Sequence, residues 1–118
     1  TIECKINGSG DVMCNKAGNP TIHINGSGNF RANEVYGKLK SKINGSGDIY
    51  LGSGHVDSFE ARINGSGDID AKNICTLLAD LAIEGSGNIT VGRVIEQSIE
   101  KHSKNSSIKI LKRGKLLP

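Results

Sequence analysis

The residues best placed to do chemistry are a series of acids and amides, Asp11, Asn29, Asp48, Asp68 and Asn88, each directly following a Gly-Ser-Gly triplet. Side-chain oxygens recurring at a fixed place in a chain suggest two kinds of chemistry. One is calcium binding, which needs six or more oxygens with carboxylates usually among them. Asp48 and Asp68 are the best adjacent pair for such an ion. The other is glycoside cleavage by two carboxylates about 5 Å apart, as in retaining hydrolases. Against both stands a simpler use, in which Asp and Asn after a tight turn accept hydrogen bonds from nearby backbone N–H groups. The calcium-binding β-roll motif repeats every nine residues, which this chain does not do.

Other reactive types are sparse. His23, His55 and His102 have no ligand spacing. Cys4, Cys14 and Cys75 match no zinc or redox motif. Cys4 and Cys14 are both expected to face inward within one coil, and spacing alone leaves open whether they are bridged. The glycines sit between strands and not ahead of a helix, so phosphate-cradle logic fails. No catalytic residue and no cofactor is assigned. Formal charge is +3 with a sequence pI near 8.8, short of a nucleic-acid footprint. No apolar run approaches the roughly 18 residues of a membrane span.

What positions the acids is a repeat. Gly8-Ser9-Gly10, Gly26-Ser27-Gly28, Gly45-Ser46-Gly47, Gly65-Ser66-Gly67 and Gly85-Ser86-Gly87 recur at intervals of 18, 19, 20 and 20 residues. A worn sixth copy lies at Lys104-Asn105-Ser106. Two residues before each triplet stand Ile6, Ile24, Ile43, Ile63 and Ile83. Two residues earlier are Cys4, Ile22, Ser41, Ala61 and Leu81. After the triplets come Val12, Phe30, Ile49, Ile69, Ile89 and Ile108, then Cys14, Ala32, Leu51, Ala71, Val91 and Ile110. Polar residues alternate with these: Lys5, His23, Lys42 and Arg62 on one side, Arg31, Tyr50 and Asp70 on the other.

Period-2 alternation on both sides of a glycine turn predicts two short half-buried strands per repeat. Val35, Ile74 and Val94 in the linkers suggest a third side. One such coil cannot bury its own apolar face, but stacked coils can. The expected architecture is all-β: a single-domain parallel β-helix spanning residues 1–118, with about six coils of 18–20 residues and a degenerate last coil over 99–118. Crossover handedness favours a right-handed path. A left-handed hexapeptide helix is the competitor, since Ile6, Val12, Gly18, Ile24 and Phe30 are six apart, but it wants a constant coil length. The scarcity of aromatics, 3% of the chain, suits an interior with little room for rings.

Gly8, Gly10, Gly26, Gly28, Gly45, Gly47, Gly65, Gly67, Gly85 and Gly87 are assigned as structural turn residues, where positive φ and backbone-to-backbone stacking exclude side chains. Asn7, Asn25, Asn44 and Asn64, each just before a triplet, are expected to form an amide ladder along the axis. The chain opens inside a repeat, so an upstream segment or a second copy is expected on its uncapped N-terminal end. The run Ser103-Lys104-Asn105-Ser106-Ser107 with Lys109, Lys112, Arg113 and Lys115 reads as an edge defended against further stacking, or as a basic adhesive patch.

The repeated Ile-Asn-Gly-Ser-Gly-Asp-Ile/Val block resembles the head GIN domain family of auto-transporter adhesins, exported bacterial proteins frequent in Bacteroidetes. The resemblance covers Ile6 to about Val91 and weakly the remainder. It implies a right-handed β-helix, a place in the envelope or outside the cell, and no established activity. The chain is shorter than that family's usual length, which supports a larger parent protein.

The functional expectation is therefore a non-catalytic adhesion or interaction module. Its partner would be a glycan or a cell-surface protein, and Tyr36 and Tyr50 are candidates to stack on sugar rings. The alternatives are a polysaccharide-modifying β-helix enzyme using Asp48 and Asp68, and a purely structural spacer.

Overall fold

The computed structural model describes residues 2–102 and 106–114, and Thr1, Ser103, Lys104, Asn105 and Lys115 through Pro118 lie outside the described residues. Eight strands make up the chain: β1 (Glu3–Gly8), β2 (Asp11–Gly18), β3 (Thr21–Gly26), β4 (Asn29–Gly45), β5 (Asp48–Gly65), β6 (Asp68–Gly85), β7 (Asn88–His102) and β8 (Ser107–Arg113). Every pairing is parallel, in the order β1-β3-β4-β5-β6-β7-β8, with β2 on β4. This is a parallel β-solenoid of about six turns. Its smallest extent, 16 Å, leaves room for one layer of interdigitated side chains.

The strands are longer than alternation alone suggests. In β4, β5 and β6 each coil is one extended run, broken only at the Ser-Gly of the triplet. The runs bend without losing their ladders because each bend stacks on the one before it. Asn29–Gly45 pairs with Asp48–Gly65 almost throughout, with one register shift between Gly37 and Lys38. That shift inserts Asp57 and lengthens the coil. A second pair of irregularities, at Ala71/Cys75 and Thr76/Leu78, absorbs the later length changes. Between the first two coils the extra residue is Gly37 (φ +84°), and Asn19 (φ +47°) fills the corner, its Oδ1 accepting the Lys38 N–H at 3.0 Å.

The triplets stack as expected. The Ser27, Ser46, Ser66 and Ser86 amides donate to the first glycine carbonyl of the preceding triplet at 3.0–3.1 Å. Gly26, Gly45, Gly65 and Gly85 have φ between +117° and +133°. A Cβ on Gly47, Gly67 or Gly87 would lie 2.1–2.2 Å from a backbone oxygen of the coil before, well inside van der Waals contact. At the first coil, a Cβ on Gly8 or Gly10 would meet nothing within 4 Å.

Inside, register makes columns of the residues the spacing aligned. Ile6, Ile24, Ile43, Ile63 and Ile83 are all buried, as are Phe30, Ile49, Ile69 and Ile89. Burying each such side chain contributes roughly 1.5–3 kcal/mol. Val35, Ile74 and Val94 are buried too, on the third side. Rings do fit: both phenylalanines are interior. Phe30 lies in register between Val12 and Ile49, and Phe59 between Leu39 and Ala79, whose small methyl leaves space. In the first coil the core opens, with Val12 37% exposed, while Met13 stands in the outward column with Arg31. At the other end the worn repeat still adds a strand, and Ile108 and Ile110 pack against the core.

The turn geometry separates two otherwise equal substitutions. Gly67→Ala forces a methyl into the Gly47 carbonyl and is expected to destabilise the fold by about 3 kcal/mol. Gly10→Ala meets open space and is expected to change stability by less than about 0.5 kcal/mol. Urea midpoints for the two variants, at equal m-value, check the difference.

Candidate functional site

The acid and amide series is a ladder along the solenoid axis. Asp11 Oδ1 accepts the Asn29 N–H at 3.2 Å, Asn29 Oδ1 the Asp48 N–H at 3.2 Å, Asp48 Oδ1 the Asp68 N–H at 3.1 Å, and Asp68 Oδ1 the Asn88 N–H at 3.1 Å. Each side chain thus caps the coil after its own. The two asparagines also donate Nδ2–H to the carboxylate before them, Asn29 to Asp11 and Asn88 to Asp68, both at 3.0 Å. Asp68 has no amide to give, so Asp48 and Asp68 are like charges in direct register. That pair offers two carboxylates, and among the described residues no three His, Cys, Asp or Glu side chains converge.

The Asn column before the triplets forms the second ladder. Asn25 Nδ2 donates to Asn7 Oδ1 and Asn44 Nδ2 to Asn25 Oδ1, each at 3.1 Å. Asn33 to Asn15, also 3.1 Å, is a third ladder that alternation around the triplets did not reveal.

The two tyrosines are not brought into one site. Tyr36 is in register with Gly18 and His55, whereas Tyr50 stands with Arg31 and Asp70. Tyr36 is 53% exposed, and its ring covers Gly18, where a Cβ would lie 2.7 Å from it. Tyr50 is half-buried, with the Arg31 guanidinium 4.6 Å from its ring centroid. Each ring therefore has a packing role.

Cys4, Cys14 and Cys75 are free and half-buried. Burial, and then the neighbouring Cys14, push the Cys4 thiol up, which disfavours the reactive thiolate. The Cys14 thiol donates to the Lys16 carbonyl at 3.2 Å.

The strongest polar contact on the outer face is one the repeat does not announce. Arg62 grips Asp80 on the next coil through two bonds, Nη1 to Oδ1 at 3.0 Å and Nη2 to Oδ2 at 3.2 Å, with Glu60 at 3.6 Å. The Arg62 hydrogen bonds hold the Asp80 carboxyl below its ordinary range. Arg113 does the same for Glu100, at 2.9 Å, while also donating to Ser98. Arg113 was expected as a free edge charge, and it is engaged within the fold.

On the same side, Lys38, Lys40 and Lys42 alternate with the buried Leu39 and Ser41, so all three point outward along β4. Lys5, His23, Lys42 and Arg62 stand in register on successive coils. A shallow depression of about 240 Å³ is lined by His23, Lys40, Lys42, Glu60 and Arg62, and a neighbouring one of about 380 Å³ by Lys42, Asn44, Arg62 and Asn64. The alternation in Lys38-Leu39-Lys40-Ser41-Lys42 was legible in the sequence as a signal of this row.

A parallel solenoid whose outer residues run in lines is a repeat scaffold. The chain belongs to the family described as "Putative auto-transporter adhesin, head GIN domain", which matches residues 2–111. No curated protein and no solved structure matches it.

Two outcomes follow from this geometry. Asp68→Asn supplies the missing amide donor to Asp48 and removes a like-charge neighbour, so it is expected to stabilise the fold by about 0.5–1 kcal/mol in urea unfolding. Calcium is expected to leave both proteins unchanged, and a calcium-dependent rise in the wild type that Asp68→Asn abolishes would restore the ion site. Separately, Asp80 and Glu100 have depressed folded-state values. Their contribution is present above the ordinary carboxylate range and is lost as pH falls through the folded values, below about pH 4. Asp80→Asn combined with Glu100→Gln is expected to flatten that acid limb in a urea-midpoint series across pH, without moving the neutral-pH slope.

Proposed function

We propose that this chain is a non-catalytic adhesion module displayed at a cell surface or in the envelope, binding a glycan or a surface protein through its outer sheet faces. The observation that carries the reading is the arrangement of outward side chains in parallel lines at the strand spacing of about 4.8 Å. Such lines match a ligand that itself repeats. The family's description as an auto-transporter adhesin head supports the same reading. Catalysis by Asp48 and Asp68 is disfavoured because one oxygen of each already accepts a backbone N–H, and neither lines the depressions beside Lys42, Phe59 or His55. A structural spacer is the second reading, favoured by the ladders that tie each coil to the next.

The test is retention of the purified chain on an array of neutral and acidic glycans and on whole cells. Saturable retention on either is expected. A blank array together with no retention on cells at high protein concentration would remove adhesion and leave the spacer.

A further inference from the structure

The row of cations on β4 and its neighbours is the feature that the scaffold does not need. Inward positions hold the core, and the acid and amide columns tie coils together. Lys5, Lys38, Lys40 and Lys42 do neither: among the described residues none of them makes an ion pair. The acids nearest them are occupied elsewhere, because Arg62 takes both Glu60 and Asp80. Two further acids lie in register with this face, Glu3 two positions from Lys5 and Glu84 opposite Asn64. Alternate residues of a strand are about 6.6 Å apart and neighbouring coils about 4.8 Å. Lys42 faces Arg62 and Lys40 faces Glu60 on the next coil, so cations outnumber the acids along this row.

His23 adds an independent sign. It lies in register between Lys5 and Lys42, and its Nε2 is buried with no hydrogen-bond partner. It lines the depression shared with Lys40, Lys42 and Arg62. A nitrogen shut off from water and left unpaired carries a cost, so the fold holds this ring in place at some expense.

Beside the cations runs the Asn7, Asn25 and Asn44 ladder. Each amide there uses part of its capacity along the axis and has a donor or acceptor to spare. Cations and spare amides in adjacent parallel lines, on a shallow face, suit a polymer that alternates anionic groups with hydroxyls. Neither tyrosine belongs to the columns of this face, so it lacks the stacking platforms of a single-stranded nucleic-acid site.

We infer that Lys38, Lys40 and Lys42, with Lys5 and His23, form a docking row for an acidic polysaccharide carrying carboxylate or sulfate groups. The inference rests on the adhesion reading above and names its ligand class and its residues. The anionic groups lie on the lysines and the sugar hydroxyls on the asparagines.

The test is titration of the purified chain with polygalacturonate, with a sulfated glycosaminoglycan, with a neutral glucan and with duplex DNA, at two salt concentrations. Saturable binding to at least one acidic glycan, weakened by salt, is expected. Lys40→Glu/Lys42→Glu is expected to reduce that affinity on the order of tenfold or more, since two attractions become repulsions. Lys72→Glu/Lys109→Glu removes the same formal charge from exposed sites off the row and is expected to change affinity less than about twofold. His23→Ala is expected to weaken binding while leaving the urea midpoint unchanged or raised.

Equal losses in the two double variants, or duplex DNA bound as tightly as the glycans at equal salt, would overturn the inference as generic charge attraction. Binding to the neutral glucan alone would overturn the row and leave adhesion standing. Binding to none of the four would overturn the row, and the cell-retention assay then decides the adhesion reading separately.

Discussion

Everything in this fold depends on how closely two backbones approach at the glycine turn. In the second to fifth coils the carbonyl of one triplet sits where a side chain of the next would begin, with Cβ positions 2.1–2.6 Å from that oxygen. No residue but glycine tolerates this. The contact does more than permit a turn, because it fixes the phase of each coil relative to the one before. Once Gly26 lies on Gly8 and Gly45 on Gly26, period-2 alternation sends every isoleucine two residues upstream into one column. A slip of one residue would turn that whole column outward. The coils can therefore differ in length by one or two residues and still present identical cores, provided that the differences are taken up away from the triplet. They are, at Gly37/Lys38 and around Ala71–Leu78.

The same stacking explains why polar side chains come in ladders. With coils in register, a side chain's nearest polar neighbour is its own equivalent in the next coil. An amide is suited to that position because it donates and accepts at once, so Asn7, Asn25 and Asn44 link head to tail. A carboxylate accepts only. It fits where the next coil offers a backbone N–H or an amide, as Asn29 and Asn88 do. The Asp48–Asp68 step is the one place in that column where two carboxylates adjoin. The expectation of turn-capping was right in kind, although the capped turn belongs to the following coil.

The coil interior was legible where its signal is periodic: two alternations flanking a marked turn locate most buried residues from Ile22 to Val91, but not Leu39, Val56, Phe59, Thr76 or Ala79 on the third side. The glycine and asparagine roles were legible for the same reason. What escaped was whatever depends on a single coil. The length changes at Asp57 and Gly92 carry no periodic mark. Strand continuity through the bends comes from inter-coil ladders, which no local pattern encodes. Tyr36 covers Gly18, and Arg62 reaches Asp80, across 18 residues in each case. Such pairs become neighbours only after register is known. Cys4 and Cys14 were placed on the inner side correctly, and register leaves them as free thiols on the open first coil.

The geometry also constrains what kind of function this scaffold can hold. An active site gathers unlike residues at one point, usually from loops that converge over a rigid frame. A solenoid with short corners does the opposite, since it lays like residues out in lines. Its distinctive property is a one-dimensional spacing set by the backbone and insensitive to what the outward side chains are. Selection can then vary an outward column without disturbing the core, and a departure from a merely soluble surface marks something beyond solubility. Several outward charges are explained locally: Lys16 meets Glu34, Arg62 meets Asp80, and Arg113 meets Glu100. The lysines of β4 are not explained in that way. They stand without ion pairs on a face whose acids Glu60 and Asp80 are engaged by Arg62, beside a histidine nitrogen that has no hydrogen-bond partner. A fold that satisfies its polar groups so regularly elsewhere leaves that arrangement incomplete by itself, and a line of anions at matching intervals is what would complete it.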